Sequence, residues 1–349
     1  MGIECSIIIP TYNAEKSIIE CINSIELEKE WHHSVEVIVV NDGSTDLTNE
    51  VVCDIAKKYE CVKLINQENQ GVSAARNAGI RSALGKYIYF MDADDCVRRN
   101  VLDEVIECAT KTEAELIIAD YIYHDIQSGK QRCSVNKIPY EQLLGRGYIE
   151  QTIFYRFFVG DNEGLSSLWN KLFNREIITK NEMFFDIHRT HGEDWRFVMA
   201  YMDSIENLYA VNKTLYIYRM DGSQSYSKYS KRLSYSLLDG HRTLKKMNDK
   251  YSLCHKQSKE YRQFIVKFYE QIWSYLSLEN CNHIEKKHFI KDEECKETFK
   301  YIIKSNSQEL QEMQLSGREK IIAVLLFCNM YPLALKLINK LRNTGGSNE

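Results

Sequence analysis

Val35-Glu36-Val37-Ile38-Val39-Val40-Asn41-Asp42-Gly43-Ser44 is a run of β-branched residues that ends abruptly in polar turn formers. Apolar residues at successive positions belong to a strand covered on both faces, because period-two alternation would mark a strand with one wet face. The same signature recurs on either side, at Ser6-Ile7-Ile8-Ile9, at Val62-Lys63-Leu64-Ile65 and at Tyr87-Ile88-Tyr89-Phe90-Met91. Between these runs, Ile18, Ile22 and Ile25, and then Val51, Ile55 and Ala56, fall at helical spacing, and Asp46 stands where an N-cap would. Strand and helix in alternation predict a mostly parallel sheet with right-handed crossovers.

Ligands of such sheets gather beyond the carboxyl ends of the strands. The residues expected there are Pro10-Thr11-Tyr12-Asn13, Asn41-Asp42-Gly43-Ser44, Asn69-Gln70-Gly71 and Asp92-Ala93-Asp94-Asp95. Asp92, Asp94 and Asp95 put three carboxylates within four residues. Like charges about 4 Å apart repel by roughly 4 kcal/mol at an effective dielectric near 20, and a hard divalent cation such as Mg²⁺ or Mn²⁺ would remove that repulsion. Acidic residues at a helix N-terminus account for the cluster equally well when it is taken alone.

Composition narrows the partners. The 349 residues carry a formal charge of −4 with both signs interspersed, so no basic field exists to bind a nucleic acid. The longest apolar run, Ile321 to Phe327, is too short to span a bilayer. Eleven scattered cysteines without a paired spacing read as reduced thiols of a cytoplasmic protein, and Met1 to Ser6 match a myristoylation pattern only by coincidence, since Glu4 to Ile9 must supply the first strand and leave little tail to carry a lipid.

Beyond Glu115 the pattern loosens. A strand at Leu116 to Ala119, a helix at Glu193 to Met202 and a strand at Leu215 to Tyr218 stand out from aromatic, irregular sequence. After Ser227 nearly everything reads as helix, with apolar stripes at Leu233/Leu237/Leu238, Phe264/Phe268/Ile272 and Ile321/Leu325/Leu333/Leu337. Cys281, His283, His288 and Cys295 fit no zinc spacing and read as a solvated helix face.

SIIIPTYNAE, VIVVNDGSTD, ENQGVSAARNAGI, YIYFMDADD and HGEDWRF, in this order between residues 6 and 197, resemble the family 2 glycosyltransferases, inverting enzymes of GT-A fold. The resemblance implies an α/β, Rossmann-like, mostly parallel mixed sheet flanked by helices, with a C-terminal helical extension outside it. It divides the chain into a nucleotide-sugar-binding half at 1–112, an acceptor-binding half at 113–226 and a helical region at 227–349. It implies a nucleotide-sugar donor, favouring UDP, a glycan or lipid-linked acceptor, and a role in bacterial surface polysaccharide synthesis.

Residue by residue, the resemblance implies that Pro10, Thr11 and Tyr12 wall the base pocket. Asp42 accepts a hydrogen bond from the base, as a carboxylate can from a uracil-like N–H. Arg76 lies beside the nucleotide, Asp92 near the ribose and Asp94 on the cation. Asp194, after Glu193, is the base that deprotonates the attacking hydroxyl. Trp169 and Lys171 line the acceptor cleft, with Asp95, His191 and Glu193 close by, while Arg219 and Ser223 touch the pyrophosphate across a hinge at Gly222. His188 and His191 flank the base and read as polar cleft wall rather than as metal ligands.

Two other classes compete. A non-catalytic sugar-nucleotide-binding or scaffolding subunit has no chemical need for Asp92, Asp94 and Asp194 together. A nucleotidyltransferase calls for a glycine-rich phosphate loop, which Pro10-Thr11-Tyr12-Asn13 is not. The run Ile321 to Phe327, followed by Lys336, Lys340 and Arg342, makes the C-terminal helices candidates for docking on the inner face of a membrane or on a partner, with burial against the chain's own helices as the simpler expectation.

Overall fold

The computed structural model describes residues 2–28, 34–188, 192–220, 233–278, 283–328, 330 and 332–338. The chain forms two compact units, Met1–Ile149 with Asn162–Ser225, and Glu150–Asp161 with Tyr226–Glu349.

The first unit opens with β1 (Cys5–Thr11), α1 (Ile18–Ser24), β2 (Val35–Asp42), α2 (Thr48–Lys58), β3 (Val62–Gln67), α3 (Val72–Ser82) and β4 (Tyr87–Phe90). There follow β5 (Cys96–Val97), α4 (Leu102–Thr112), β6 (Leu116–Asp125), β7 (Gln131–Ser134), β8 (Leu143–Gly145) and α5 (Arg146–Tyr148). The chain then gives α6 (Phe154–Val159) to the second unit before returning with β9 (Lys171–Asn174), α7 (Arg175–Lys180), α8 (Glu193–Asp203) and β10 (Asn207–Met220). The sheet has ten strands in the order β3-β2-β1-β4-β9-β6-β10-β5, with β7 beside β6 and β8 beside β10.

Strands β1 and β2, β1 and β4, β2 and β3, and β6 and β10 pair in parallel. Strand β9 runs antiparallel to both β4 and β6, which makes the sheet mixed. Its four residues begin with Lys171 and end with Asn174, so no apolar run announces it. Strands β1, β2 and β4 are buried along their whole length. Helix α3 lies close on β1 because residue 79 has no side chain: a Cβ at Gly79 would come within 2.3 Å of Ile8 Cγ2.

One charge is buried at the start of β2. Glu36 accepts hydrogen bonds from Ser6 Oγ at 2.7 Å, Leu84 N–H at 2.6 Å and Lys63 Nζ at 2.7 Å, joining β1, β3 and the α3–β4 turn. Burial alone would raise its pKa, and these hydrogen bonds more than offset it, leaving the carboxyl below the usual glutamate value of 4.5.

The second unit adds α9 (Leu233–Tyr251), α10 (Lys259–Leu276), α11 (His283–Phe289), α12 (Glu293–Lys304), α13 (Ser307–Glu312), α14 (Gly317–Phe327) and a helical segment at 332–338. Phe158, Phe264, Phe268, Ile272, Phe299 and Leu326 share its core. The apolar stripe read from the sequence at its end needs correction. Ile322, Ala323, Leu326, Ala334 and Ile338 are buried, whereas Ile321, Leu333 and Leu337 are exposed. A run that is apolar all round carries no periodicity from which to choose the inner face. Cys295 is likewise buried in this core rather than on a solvated face.

Glu36→Ala should destabilise the chain by about 3 kcal/mol at neutral pH, because it strands the buried partners of a charged acceptor. Since the folded pKa lies below 4.5, this contribution is present above pH 4.5 and is lost as pH falls through the folded value. Urea unfolding of both proteins from pH 7 to pH 3 should therefore show their stabilities converging on the acid side.

Candidate active site

The parallel strands deliver their polar ends to one rim, and hydrogen bonds tie its segments together. Asn13 N–H donates to Ser44 Oγ at 3.0 Å, and Thr45 N–H donates to Asn13 Oδ1 at 2.8 Å, joining the β1–α1 and β2–α2 loops. Pro10 and Thr11 are buried below this junction, and the Tyr12 side chain stands 51% exposed on it. Asp42, at the end of β2, is buried. Its Oδ1 accepts from Gln67 Nε2 at 2.6 Å and Gln70 N–H at 2.9 Å, and its Oδ2 from Gly71 N–H at 2.7 Å. A carboxylate has about four acceptor sites, so capacity for one more donor remains.

Four residues from three segments meet at Arg76. This side chain on α3 is only 4% exposed. Its Nη1 lies 2.6 Å from Asp194 Oδ1 and 3.7 Å from Glu193 Oε1, and its Nη2 lies 3.2 Å from Asp92 Oδ1. Burial works against the guanidinium charge, and Asp194, Asp92 and Glu193 more than offset it, raising its pKa above the ordinary arginine value. The Asp194 carboxyl is pushed up to about 6 by burial, against the pull of Arg76 and with Glu193 and Asp92 adding to the rise. The first turn of α8 sets Asp194 in place. Gly192 precedes it at φ +70°, in the left-handed region that favours glycine, and a Cβ there would meet Trp195 Nε1 at 2.5 Å.

The acidic cluster divides by environment. Asp94 is exposed and Asp92 partly buried. Asp95 is buried, accepting from Tyr216 O–H at 2.7 Å and from Arg219 N–H at 2.7 Å. Burial, reinforced by Asp92 and Asp94, pushes the Asp95 carboxyl up to about 8. The Tyr216 hydroxyl also accepts from Asp92 N–H at 3.2 Å, so it links the two ends of the Asp92 to Asp95 turn. Its ring stacks on Trp169 with centroids 4.6 Å apart.

Among the described residues, no three His, Cys, Asp or Glu side chains are arranged as a ready-made metal cage. The donor set that fits a divalent cation here is one exposed carboxylate, Asp94, with Asp92 beside it, completed by oxygens of a ligand and water.

The remaining predicted residues have other surroundings. Lys171 is fully buried, donating to the Gly164 and Ser167 carbonyls and to Asn170 Oδ1. It locks the turn ahead of β9 and does not face a cleft, and burial pushes its pKa down while Asp194 opposes that shift. Trp169 is buried in an aromatic stack with Tyr216 and Tyr218. The Arg219 side chain donates to Glu20 Oε2 at 2.7 Å. His191, Ser223 and Gly222 lie outside the described residues. Sequence reasoning missed Tyr216, although a tyrosine within an apolar strand needs a partner for its hydroxyl, and that signal was available.

An open mixed sheet that ends its parallel strands in a carboxylate-lined rim, with helices on both sides, is the GT-A architecture of nucleotide-sugar transferases. Solved structures of S. aureus TarS 1-349 superpose with a TM-score of 0.61 at 17% identity, covering 99% of this chain and 93% of that one. Residues 6–179 match the model of Glycosyl transferase family 2, and the chain belongs to that family. It is 31% identical over 230 residues to the putative glycosyltransferase EpsH of Bacillus subtilis, a match covering 65% of this chain and 64% of EpsH. With YibD of Escherichia coli, an uncharacterized glycosyltransferase, it shares 28% identity across 80% of this chain and 79% of YibD.

Tyr216→Phe should leave Asp92 N–H and Asp95 Oδ2 without their shared partner and cost about 2 kcal/mol of stability. Denaturant unfolding monitored at the first unit's tryptophans checks this. An unchanged midpoint would mean that the hydroxyl link carries no energy.

Proposed function

We propose that the chain is an inverting glycosyltransferase, moving a sugar from a nucleotide-diphosphate sugar, favouring UDP, to a hydroxyl of a glycan or lipid-linked acceptor in cell-surface polysaccharide synthesis. The observation that carries this reading is Arg76, one guanidinium held between Asp92, on the donor rim, and Asp194, at the start of α8. Support comes also from TarS, whose solved structures include complexes with UDP and with UDP-GlcNAc.

In this reading residues 1–112 bind the donor and 113–226 the acceptor. Pro10, Thr11 and Tyr12 wall the base pocket, and the spare acceptor capacity of Asp42 takes the base N–H. Asp92 faces the ribose, Arg76 lies beside the nucleotide, and Arg219 and Ser223 face the pyrophosphate, Arg219 exchanging Glu20 for it. Asp94 holds Mn²⁺ or Mg²⁺, whose chemistry is to spread the charge that develops on the departing diphosphate. Asp194 takes the proton of the acceptor hydroxyl from the side away from the leaving group, as a single displacement demands. Trp169, Asp95, Glu193 and His191 shape the cleft around it. Lys171 acts from behind, through the turn it locks.

No helix among the described residues is long and apolar enough to cross a membrane. The reading places the enzyme in the cytoplasm at the inner face of the membrane. The exposed Ile321, Val324, Phe327, Met330, Leu333 and Leu337 are the surface on which its helical region would make contact.

Three results test this function. UDP release from a panel of UDP-sugars should require a divalent cation and should nearly vanish in Asp94→Asn. Asp194→Asn should bind UDP like the wild type while losing about 10² to 10⁴ in kcat. The product should carry the anomeric configuration opposite to the donor's. Wild-type transfer by Asp194→Asn, or retention of configuration, would refute the assignment.

A further inference from the structure

We propose that Arg76 is a positioning residue for the transfer step, holding Asp194 by Oδ1 alone and so leaving Oδ2 as the atom that takes the acceptor proton. The inference rests on the reading of Asp194 as the base, and it names the atom and the device that presents it.

The contact is one-sided. Arginine commonly grips a carboxylate with two parallel bonds, which would occupy both oxygens. Here the fork is split: Nη1 bonds Asp194 Oδ1 at 2.6 Å while Nη2 bonds Asp92 Oδ1 at 3.2 Å. Arg76 Nε is buried without an acceptor, so the carboxylates at the far end of the guanidinium set its orientation. The Phe185 ring lies 5.4 Å from the guanidinium carbon. Phe185 stacks in turn on Phe197 at 4.4 Å, and Phe197 stands one helical turn after Asp194 on α8. The guanidinium thus rests against an aromatic pair whose second ring stands on the helix that carries Asp194.

The charges that face Asp194 are Arg76 from α3, Asp92 from the end of β4, Glu193 from its own helix and Lys171 from β9. Without the Arg76 charge, Asp194 would stand beside two carboxylates in a partly buried place and would hold its proton more tightly. In the reaction, the acceptor O–H proton passes to Asp194 Oδ2 as the acceptor oxygen bonds to the anomeric carbon. The bond from that carbon to the diphosphate oxygen breaks, and its electron pair leaves with the nucleotide.

The test titrates Asp194 directly. In the full chain labelled with ¹³Cγ-aspartate, without substrate, the Asp194 signal is identified by its absence from Asp194→Asn. Its midpoint should rise by about one pH unit or more in Arg76→Gln and should stay close to the wild-type value in Arg76→Lys, which keeps the charge. In UDP release from UDP-GlcNAc, or from whichever UDP-sugar is turned over fastest, the acidic limb of the Gln variant should move up in parallel. The Lys variant should lose roughly tenfold to a hundredfold in kcat while its Asp194 midpoint stays near the wild-type value, because the charge remains but the fork is gone. An unmoved Asp194 midpoint in Arg76→Gln overturns the proposal. If that variant does not fold, wild-type kcat in Arg76→Lys overturns it instead. Failure of the underlying reading looks different: Asp194→Asn itself would keep turning over donor, whatever the Arg76 variants do.

Discussion

A guanidinium buried against three carboxylates is the constraint around which the first unit is organised. An isolated charge at that depth would be expelled or neutralised, so every element that meets there must arrive in register. Helix α3 supplies the cation and lies tightly on β1 because Gly79 has no side chain to hold it off. The end of β4 supplies one acid, and α8 supplies two more after the left-handed turn at Gly192. A shift of α3 by an ångström or two would pull the buried guanidinium away from all three carboxylates.

At the opposite end of the sheet, Glu36 plays a quieter part by the same rule. Its carboxylate gathers a hydroxyl, a backbone N–H and an ammonium from three neighbouring segments. One end of the sheet is thus pinned by a buried anion and the other by a buried cation, each held by partners from several segments. Between them β1, β2 and β4 are buried throughout and apolar along their middles.

Much of this was legible in the amino-acid sequence, and the reason is length. Strands β1, β2 and β4 carry continuous apolar runs that end in turn residues, so both the sheet and its polar rim could be read from them; β3, expected to be covered on both faces, is instead the edge strand, with Lys63 and Asn66 exposed. Strand β9 is four residues with polar ends, and its Lys171 looks like a cleft residue until its three acceptors are seen. The pairing of Arg76 with Asp194 spans 118 positions in the chain and leaves no local trace. Tyr216 is hidden for a related reason, since the partners of its hydroxyl lie more than a hundred residues upstream. At the C-terminal end, Ile321 to Phe327 are apolar on every side, and only packing decides that Ile322 and Leu326 turn inward.

Asp42 has a consequence for how the rim selects what it binds. Its carboxylate holds Gln67 and the backbone at Gln70 and Gly71, so hydrogen bonds within the chain itself brace the β3–α3 loop. The conformational entropy of that loop is removed during folding and not on association. Ligands therefore compete for it by shape and charge alone, and a poor fit cannot be rescued by remoulding the loop around it.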